Sequence, residues 1–136
     1  MSIFLDTGFL IALESKGDTH HRKAHDFWRE FARRPESLVT TTYVFDEVVT
    51  FFNNRDFHAK AVEIGERLLT SHLVTLVDVD DQIFKEGWAQ FQRHSDKRYS
   101  LTDCISFVVM RKHGIKRALA FDRHFTQAGF ERLPFI

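Results

Sequence analysis

The chain has 136 residues with 43% hydrophobic content, which is enough for one compact domain that buries a core without disulfides. Its 19 basic and 19 acidic residues give a formal net charge of +0, so no global field attracts it to nucleic acid or to an anionic membrane. The single cysteine, Cys104, excludes an intramolecular disulfide and lies in an apolar run, which predicts a packing role. No apolar stretch approaches the roughly 20 residues of a membrane span, and we expect a cytoplasmic protein without membrane contact.

Strand-like and helix-like segments alternate along the chain. Short apolar runs predict strands over 3–5, 38–41, 74–79 and 118–121. Apolar residues at helical spacing predict helices that follow positions 6 and 18 and cover 44–52, 61–69, 83–91 and 101–113. This alternation favours an α/β domain with a mostly parallel sheet, because helical crossovers carry the chain back to the same edge.

Residue-level expectations refine this outline. Thr7 and Asp18 are expected to cap the first and second helices, and Gly114 stands where a helix C-cap belongs. The helix over 83–91 is expected to bury three aromatic side chains at core spacing: Phe84, Trp88 and Phe91.

The tripeptide Asp6-Thr7-Gly8 matches the catalytic turn of an aspartic protease. Such a protease needs an almost wholly β framework and two copies of the turn, whereas this chain has one copy among mostly helical segments. A haloacid-dehalogenase-like phosphatase also has an aspartate at the end of an N-terminal strand, but it needs a second aspartate where this chain has Gly8. Neither nucleophilic role fits, and a three-residue motif alone is weak evidence.

Acidic residues follow two of the predicted strands. Asp6 comes after the first strand and Asp122 after the last, and the carboxyl ends of parallel strands share one rim of the sheet, where ligands bind. Asp103 lies in the first turn of the helix over 101–113, where it either joins that rim or serves only the helix dipole. Glu47 falls within the apolar stripe of its helix, which predicts an inward-facing carboxylate; a water-accessible position at the rim is the alternative.

Four carboxylates that meet at one rim would repel each other unless a cation neutralised their charge. Oxygen ligands favour Mg²⁺ or Mn²⁺ over Zn²⁺ and leave open positions for water and phosphate oxygens. The chemistry that follows most naturally is hydrolysis of phosphodiester bonds by a metal-activated water.

Four segments, in their order and separation, resemble the PIN-domain ribonucleases and, within that family, the VapC-like toxins of bacterial and archaeal toxin–antitoxin pairs. The segments are FLDTGFLIAL, TTTYVFDEVVTFF, YSLTDCISFVVM and LAFDRHFTQAGF. The resemblance implies a three-layer α/β/α fold around a parallel sheet, with a single PIN-like nuclease domain over residues 1–136. It also implies a metal-dependent endoribonuclease that cleaves RNA, is frequently a homodimer, and is inhibited by an antitoxin whose C-terminal segment blocks the acidic site.

The resemblance also implies residue roles. Asp6, Glu47, Asp103 and Asp122 correspond to the acidic quartet that binds Mg²⁺ or Mn²⁺ and activates water. Asp6 and Asp103 would be the most direct ligands, Glu47 would share the metal or orient the water, and Asp122 would act through a water or a second metal.

Three further positions belong to the same comparison. Thr7 and Thr102 match positions where the family commonly has a hydroxyl, which would hydrogen-bond a ligating carboxylate. Gly8 departs from the pattern, because relatives often carry a larger polar residue there.

Basic, histidine and aromatic residues outside the quartet are further candidates. Lys97, Arg98 and Arg123 lie next to the acidic residues in sequence and are expected to bind flanking phosphates, with ordinary solvated surface as the alternative. His21 and His25 have the spacing of a transition-metal pair, but the charged residues around them favour a solvated helix face. His124 is expected either to approach the phosphate or to cap a short helix. Trp28, Phe51 and Phe52 are each expected to pack in the core, and an exposed member of this group would instead serve a dimer or antitoxin groove.

The sequence is also compatible with two alternative functions. A response-regulator receiver domain also uses an acidic Mg²⁺ cluster, although Asp6 has no adjacent acid. A catalytically silent PIN module that binds RNA or protein is the other alternative.

Overall fold

A computed structural model describes residues 1–134, in which five strands form one parallel sheet. The strands are β1 (Ser2–Leu5), β2 (Ser37–Thr41), β3 (Val74–Val77), β4 (Arg117–Leu119) and β5 (Glu131–Leu133), in the spatial order β3-β2-β1-β4-β5. β1 is central, and its residue Phe4 pairs with Val39 on one side and with Ala118 on the other. Its residues 3–5 are buried and apolar in succession, as a strand covered on both faces requires.

Helices connect the strands and cover the sheet. They are α1 (Thr7–Glu14), α2 (His21–Phe31), α3 (Thr42–Asn53), α4 (His58–Thr70), α5 (Asp81–Arg93), α6 (Leu101–Lys112) and α7 (His124–Gln127). The helices α1 to α4 contact one another, and α5 to α7 form a second group. The chain adds β2 and β3 on one side of β1 and then crosses to β4 on the other side, so the strand order reverses at β1. This reversal creates a crevice at the carboxyl end of the central strands. The predicted three-layer α/β/α architecture is confirmed.

Helix α6 is the most deeply buried helix. Nine successive residues, from Thr102 to Met110, are buried, so the helix is covered on all sides. Gly114 follows it with φ of +66°, the left-handed conformation expected of a C-cap glycine. Within residues 1–134, none of the helices combines the length and apolar character that a membrane crossing requires.

The prediction that the aromatic side chains of α5 face the core is wrong. Phe84, Trp88 and Phe91 are 37%, 47% and 39% exposed. The helix instead turns Gly87 toward α6, so closely that a Cβ at this position would lie 2.5 Å from Ile105 Cγ1. This close approach selects the stripe through Gly87 as the packed face and leaves the aromatic stripe on the flank.

The other differences concern short elements and helix ends. Strand β5 was not predicted, because it has only three residues and carries Arg132 at its centre. Helix α2 begins at His21, and its N-cap is His20 instead of the predicted Asp18, whose carboxylate accepts a hydrogen bond from the His20 N–H at 2.9 Å. The N-cap of α1 is Asp6 itself, so Thr7 is the first helical residue instead of the cap.

Candidate functional site

Asp6 lies between β1 and α1 and is fixed by the backbone on both sides. Its N–H donates to the Leu119 carbonyl of β4 at 3.1 Å, and its Oδ2 accepts from the Gly8 N–H at 3.4 Å. The residue is only 5% exposed. Asp6 stands between the last residue of β1 and the first residue of α1. At this position its carboxylate caps the N-terminus of α1, which favours a negative charge.

Asp103 lies in the first turn of α6 and belongs to a capping box. Its Oδ2 accepts from the Ser100 N–H at 3.0 Å, while its own N–H donates to Ser100 Oγ at 2.9 Å. It is 8% exposed. Asp103 therefore does not serve the helix terminus alone, because it also reaches the rim of the sheet beside Asp122 and His124.

Electrostatics show that the acidic residues are close together. Burial raises the pKa of Asp6 from 3.8 to about 8, and the negative charge of Asp103 contributes next, with Asp122 a smaller contribution in the same direction. The Thr7 and Gly8 backbone hydrogen bonds act in the opposite direction. Two ionised carboxylates buried this close together would repel each other, and a bound cation would offset that repulsion.

Asp122 lies on the exposed side of the same cluster, together with His124. Its Oδ1 accepts from the His124 backbone N–H at 2.9 Å. The His124 ring Nδ1 lies 2.9 Å from Asp103 Oδ2 and 3.1 Å from Asp122 Oδ1. Asp103, Asp122 and His124 offer ligand atoms within 4.8 Å of one another, and they are the one such group of three found within residues 1–134.

Glu47 does not face inward as predicted. The buried stripe of α3 runs through Val44, Val48 and Phe52, and Glu47 lies on its flank, exposed at the rim of the sheet. Its Oε1 accepts a hydrogen bond of 2.7 Å from Thr7 Oγ1. Burying this carboxylate would need a partner that the core does not supply, so the water-accessible alternative is the correct one.

The two threonines differ in their contacts. Thr7 orients Glu47 through its hydroxyl, the kind of contact expected of it. Thr102 is buried beside Asp103, but within the described residues its hydroxyl makes no hydrogen bond to any of the four carboxylates. A Cβ at Gly8 would meet only Asp6 Oδ2, at 3.7 Å, so this glycine leaves open space beside the Asp6 carboxylate.

The predicted basic residues lie on one side of the cluster. Lys97, Arg98 and Arg123 are exposed and line a shallow surface pocket together with Asp122 and His124. These three basic side chains therefore lie next to the Asp122 carboxylate.

The remaining candidates have other roles. His21 Nδ1 lies 2.8 Å from the Ala12 carbonyl, and the centroids of the His21 and His25 rings are 5.8 Å apart. Cys104 is buried, and burial raises the pKa of its thiol to about 11, which confirms a packing role and makes a thiolate nucleophile unfavourable.

His124 is the first residue of α7, and its side chain caps no helix but contacts two carboxylates. Its position two residues after Asp122 was the only sequence signal for this contact.

Comparison with known proteins identifies the family. The PIN domain family model matches residues 3–131. The chain is 38% identical over 128 residues to a 23S rRNA-specific endonuclease, VapC20 of Mycobacterium tuberculosis, covering 94% of this chain and 95% of that protein. A VapC ribonuclease of Aquifex aeolicus is 26% identical over 134 residues, with 93% and 92% coverage.

Solved structures agree with this result. The crystal structure of M. tuberculosis VapC20, described as a toxin that cleaves the sarcin-ricin loop, matches with a TM-score of 0.85, 37% identity and coverage of 94% and 95%. A toxin–antitoxin complex from Klebsiella pneumoniae matches with a TM-score of 0.61 at 16% identity and coverage of 89% and 87%, a likeness of fold. The chain therefore belongs to the PIN-domain family, as its sequence motifs predicted.

Proposed function

We propose that this protein is a cytoplasmic, single-domain endoribonuclease that depends on Mg²⁺ or Mn²⁺ and acts as the toxin of a toxin–antitoxin pair. The observation that carries the proposal is the pair of buried carboxylates, Asp6 and Asp103, which repel each other at the end of the central strands. The names of two relatives, an endonuclease specific for 23S rRNA and a VapC ribonuclease, support RNA as the substrate.

The residues present fit a divalent cation. Asp6, Asp103 and Asp122 supply the hard oxygen atoms that Mg²⁺ and Mn²⁺ prefer, and they would hold the ion. A bound cation would lower the pKa of a coordinated water and offset negative charge on the attacked phosphate. Glu47 is exposed and is held by Thr7 through one oxygen, so its other oxygen is available to orient the attacking water.

The basic side chains position the rest of the RNA. Lys97, Arg98 and Arg123 would bind phosphates that flank the scissile bond, beginning beside Asp122. Because the net charge of the chain is +0, this local patch has to supply the attraction for the polyanion. Cleavage should therefore weaken steeply as salt concentration rises.

The first substrate to test is 23S rRNA, since a relative specific for it shares 38% identity over 94% of this chain. Purified protein is incubated with ribosomes and with unrelated RNA in Mn²⁺, and the products are mapped by primer extension. We expect discrete cleavage that EDTA abolishes and that Asp103→Asn eliminates, while the exposed neighbour control Asp46→Asn cleaves normally. Cleavage that survives both EDTA and Asp103→Asn would contradict the proposal.

The same material separates the two alternative functions. A receiver domain would form a stable aspartyl phosphate with a small phosphodonor such as acetyl phosphate, and we expect none. A silent module would bind no Mn²⁺ in calorimetry, whereas the proposal requires binding that depends on Asp6 and Asp103.

An antitoxin is the proposed protein partner, its C-terminal segment reaching the acidic site. The surface suited to apolar side chains of such a segment is the concavity between α1, α2 and α4, whose lining includes Leu10, Leu13, Trp28, Leu68 and Leu73. Leu73→Glu should weaken inhibition by the cognate antitoxin and leave RNA cleavage unchanged. Leu69→Glu is the matched control, because Leu69 is 59% exposed and does not line the concavity.

A second copy of the chain is the proposed partner of the exposed aromatic stripe on α5. Asp80 and Asp81 begin this helix and Arg93 ends it, with Trp88 near the middle. An antiparallel pair of α5 helices would therefore oppose acidic and basic ends and stack the aromatics around a twofold axis. Trp88→Glu should convert dimer to monomer in sedimentation velocity, whereas Phe57→Glu, at an exposed aromatic residue elsewhere, should not.

A further inference from the structure

We infer that His124 is a positioning residue that holds Asp103 and Asp122 by one oxygen each and so directs the second oxygen of each carboxylate toward the cation. The inference rests on the proposed metal-dependent function and assigns a role to a side chain outside the acidic quartet.

The distribution of hydrogen-bond donors carries the inference. Asp103 Oδ2 receives two donors, His124 Nδ1 at 2.9 Å and the Ser100 N–H at 3.0 Å. Asp122 Oδ1 receives the His124 backbone N–H at 2.9 Å and lies 3.1 Å from His124 Nδ1. Within residues 1–134, no protein donor contacts Asp103 Oδ1 or Asp122 Oδ2. The two carboxylates therefore each present one occupied and one available oxygen.

The His124 ring is itself held in place. It meets the Tyr99 ring edge to face, with centroids 5.3 Å apart and an interplanar angle of 80°, and Tyr99 is only 8% exposed. The next residue, Phe125, is fully buried and anchors α7 in the core. The imidazole thus lies between the buried Tyr99 ring and the two carboxylates.

This arrangement has a direct effect on metal binding. A free carboxylate rotates about its Cβ–Cγ bond, and two neighbouring carboxylates also repel each other. The His124 ring N–H holds Asp103 Oδ2 and the backbone N–H of the same residue holds Asp122 Oδ1, so both orientations are set before the ion arrives. Outer contacts of this kind typically change metal affinity by about 10-fold to 100-fold when they are removed.

The test compares two substitutions of different chemistry in the full chain at one fixed pH. His124→Asn places a carboxamide N–H near the position of Nδ1, whereas His124→Leu removes the donor. His94→Leu is the matched control, because His94 packs against the same Tyr99 ring at 5.5 Å without contacting the carboxylates. Calorimetry measures the dissociation constant for Mn²⁺ alone, and thermal unfolding without metal reports on the fold.

We expect His124→Leu to weaken Mn²⁺ binding by about 10-fold or more and His124→Asn to restore most of that loss. The His94→Leu control should bind Mn²⁺ as the wild-type protein does. Where RNA cleavage is measured, His124→Leu should require more Mn²⁺ for half-maximal rate, and a saturating concentration should recover most of kcat.

Two results would overturn the inference. Unchanged Mn²⁺ affinity in His124→Leu would show that the ring positions nothing. Equal losses in the Leu and Asn variants, with normal unfolding temperatures, would make His124 itself a ligand. If the wild-type protein binds Mn²⁺ in a His124-dependent manner but cleaves no RNA, the inference stands and the proposed function fails.

Discussion

The four carboxylates of the candidate site divide into a buried pair and an exposed pair. Asp6 and Asp103 are 5% and 8% exposed, and each lies in the first turn or at the cap of a helix, where backbone N–H groups hold it. Glu47 and Asp122 are exposed, one on the flank of α3 and the other in the loop before α7. The buried pair bears electrostatic repulsion that a bound cation would relieve, while the exposed pair faces solvent.

The strongest test of this division removes one buried charge. Asp6→Asn should lower metal-dependent RNA cleavage by about 1,000-fold or more, because the charge stabilisation that a metal supplies amounts to several kcal/mol. The same variant should unfold at a higher temperature than the wild type in EDTA, because burial and, next, the charge of Asp103 penalise an ionised Asp6, whereas asparagine carries no charge that folding has to neutralise. A variant that loses activity and stability together would instead indicate that Asp6 is needed for the fold.

The pH dependence of stability is the next largest effect. The pKa of Asp6 is about 8 in the folded protein against an ordinary value of 3.8, so between these values the folded state keeps a proton that the unfolded chain releases. The free energy of unfolding of the metal-free protein should therefore fall as pH rises, by at most about 1.4 kcal/mol per pH unit, and level off above the folded pKa.

Urea unfolding in EDTA across this pH range measures the effect as the difference between wild type and Asp6→Asn. Saturating Mn²⁺ should reduce the difference, because metal binding favours the deprotonated carboxylate. A difference that does not change with pH would contradict the burial of a strained carboxyl group.

Substitution of Glu47, from the exposed pair, should reduce RNA cleavage less than substitution of Asp6. Glu47→Gln should lower kcat by about 100-fold, the lower end for a group that handles a proton or orients water. Thr7→Val should cost about 10-fold by freeing Glu47 to rotate. Because Thr7 Oγ1 donates to Glu47 Oε1 at 2.7 Å, the double variant should be no slower than Glu47→Gln alone. Additive losses would show that the two residues act independently.

The smallest expected effect is at Gly8. A Cβ there would meet only Asp6 Oδ2 at 3.7 Å, and the residue lies in the first turn of α1. Gly8→Ala should therefore stabilise the protein by up to about 1 kcal/mol, because alanine loses less backbone entropy in a helix. Thermal unfolding checks this, and a destabilised variant would mean that the open space beside Asp6 is required.

The fold was predictable because its elements are strongly patterned. Apolar strand runs and capped helices identify the parallel sheet, and the rule that strand ends share one rim brings Asp6 and Asp122 together. The position of Asp103 in the first turn of α6 was predictable, because Ser100 and Asp103 have the spacing of a capping box at the start of that helix. The catalytic roles of these residues remain predictions until the variants are measured.

Three features were outside the reach of local pattern. The packed face of α5 depends on one close contact between Gly87 and Ile105. The spacing of apolar residues along the helix does not reveal this contact. The exposure of Glu47 depends on how α3 is rotated against the sheet, since a flank position and a core position differ by one step along the helix. The contact of His124 with Asp103 joins residues 21 positions apart and requires the tertiary structure.

The pairing of β1 with β4 has a consequence for when the protein acquires activity. Phe4 pairs with Ala118, and the Asp6 N–H donates to the Leu119 carbonyl. The pairing of β1 with β4 therefore forms only after a strand more than 100 residues further along the chain has been synthesised. Contacts of such long sequence separation form slowly. A nascent chain that has emerged only through α4 carries Asp6 and Glu47 without Asp103 or Asp122. The four carboxylates therefore come together only after nearly the whole chain has been synthesised.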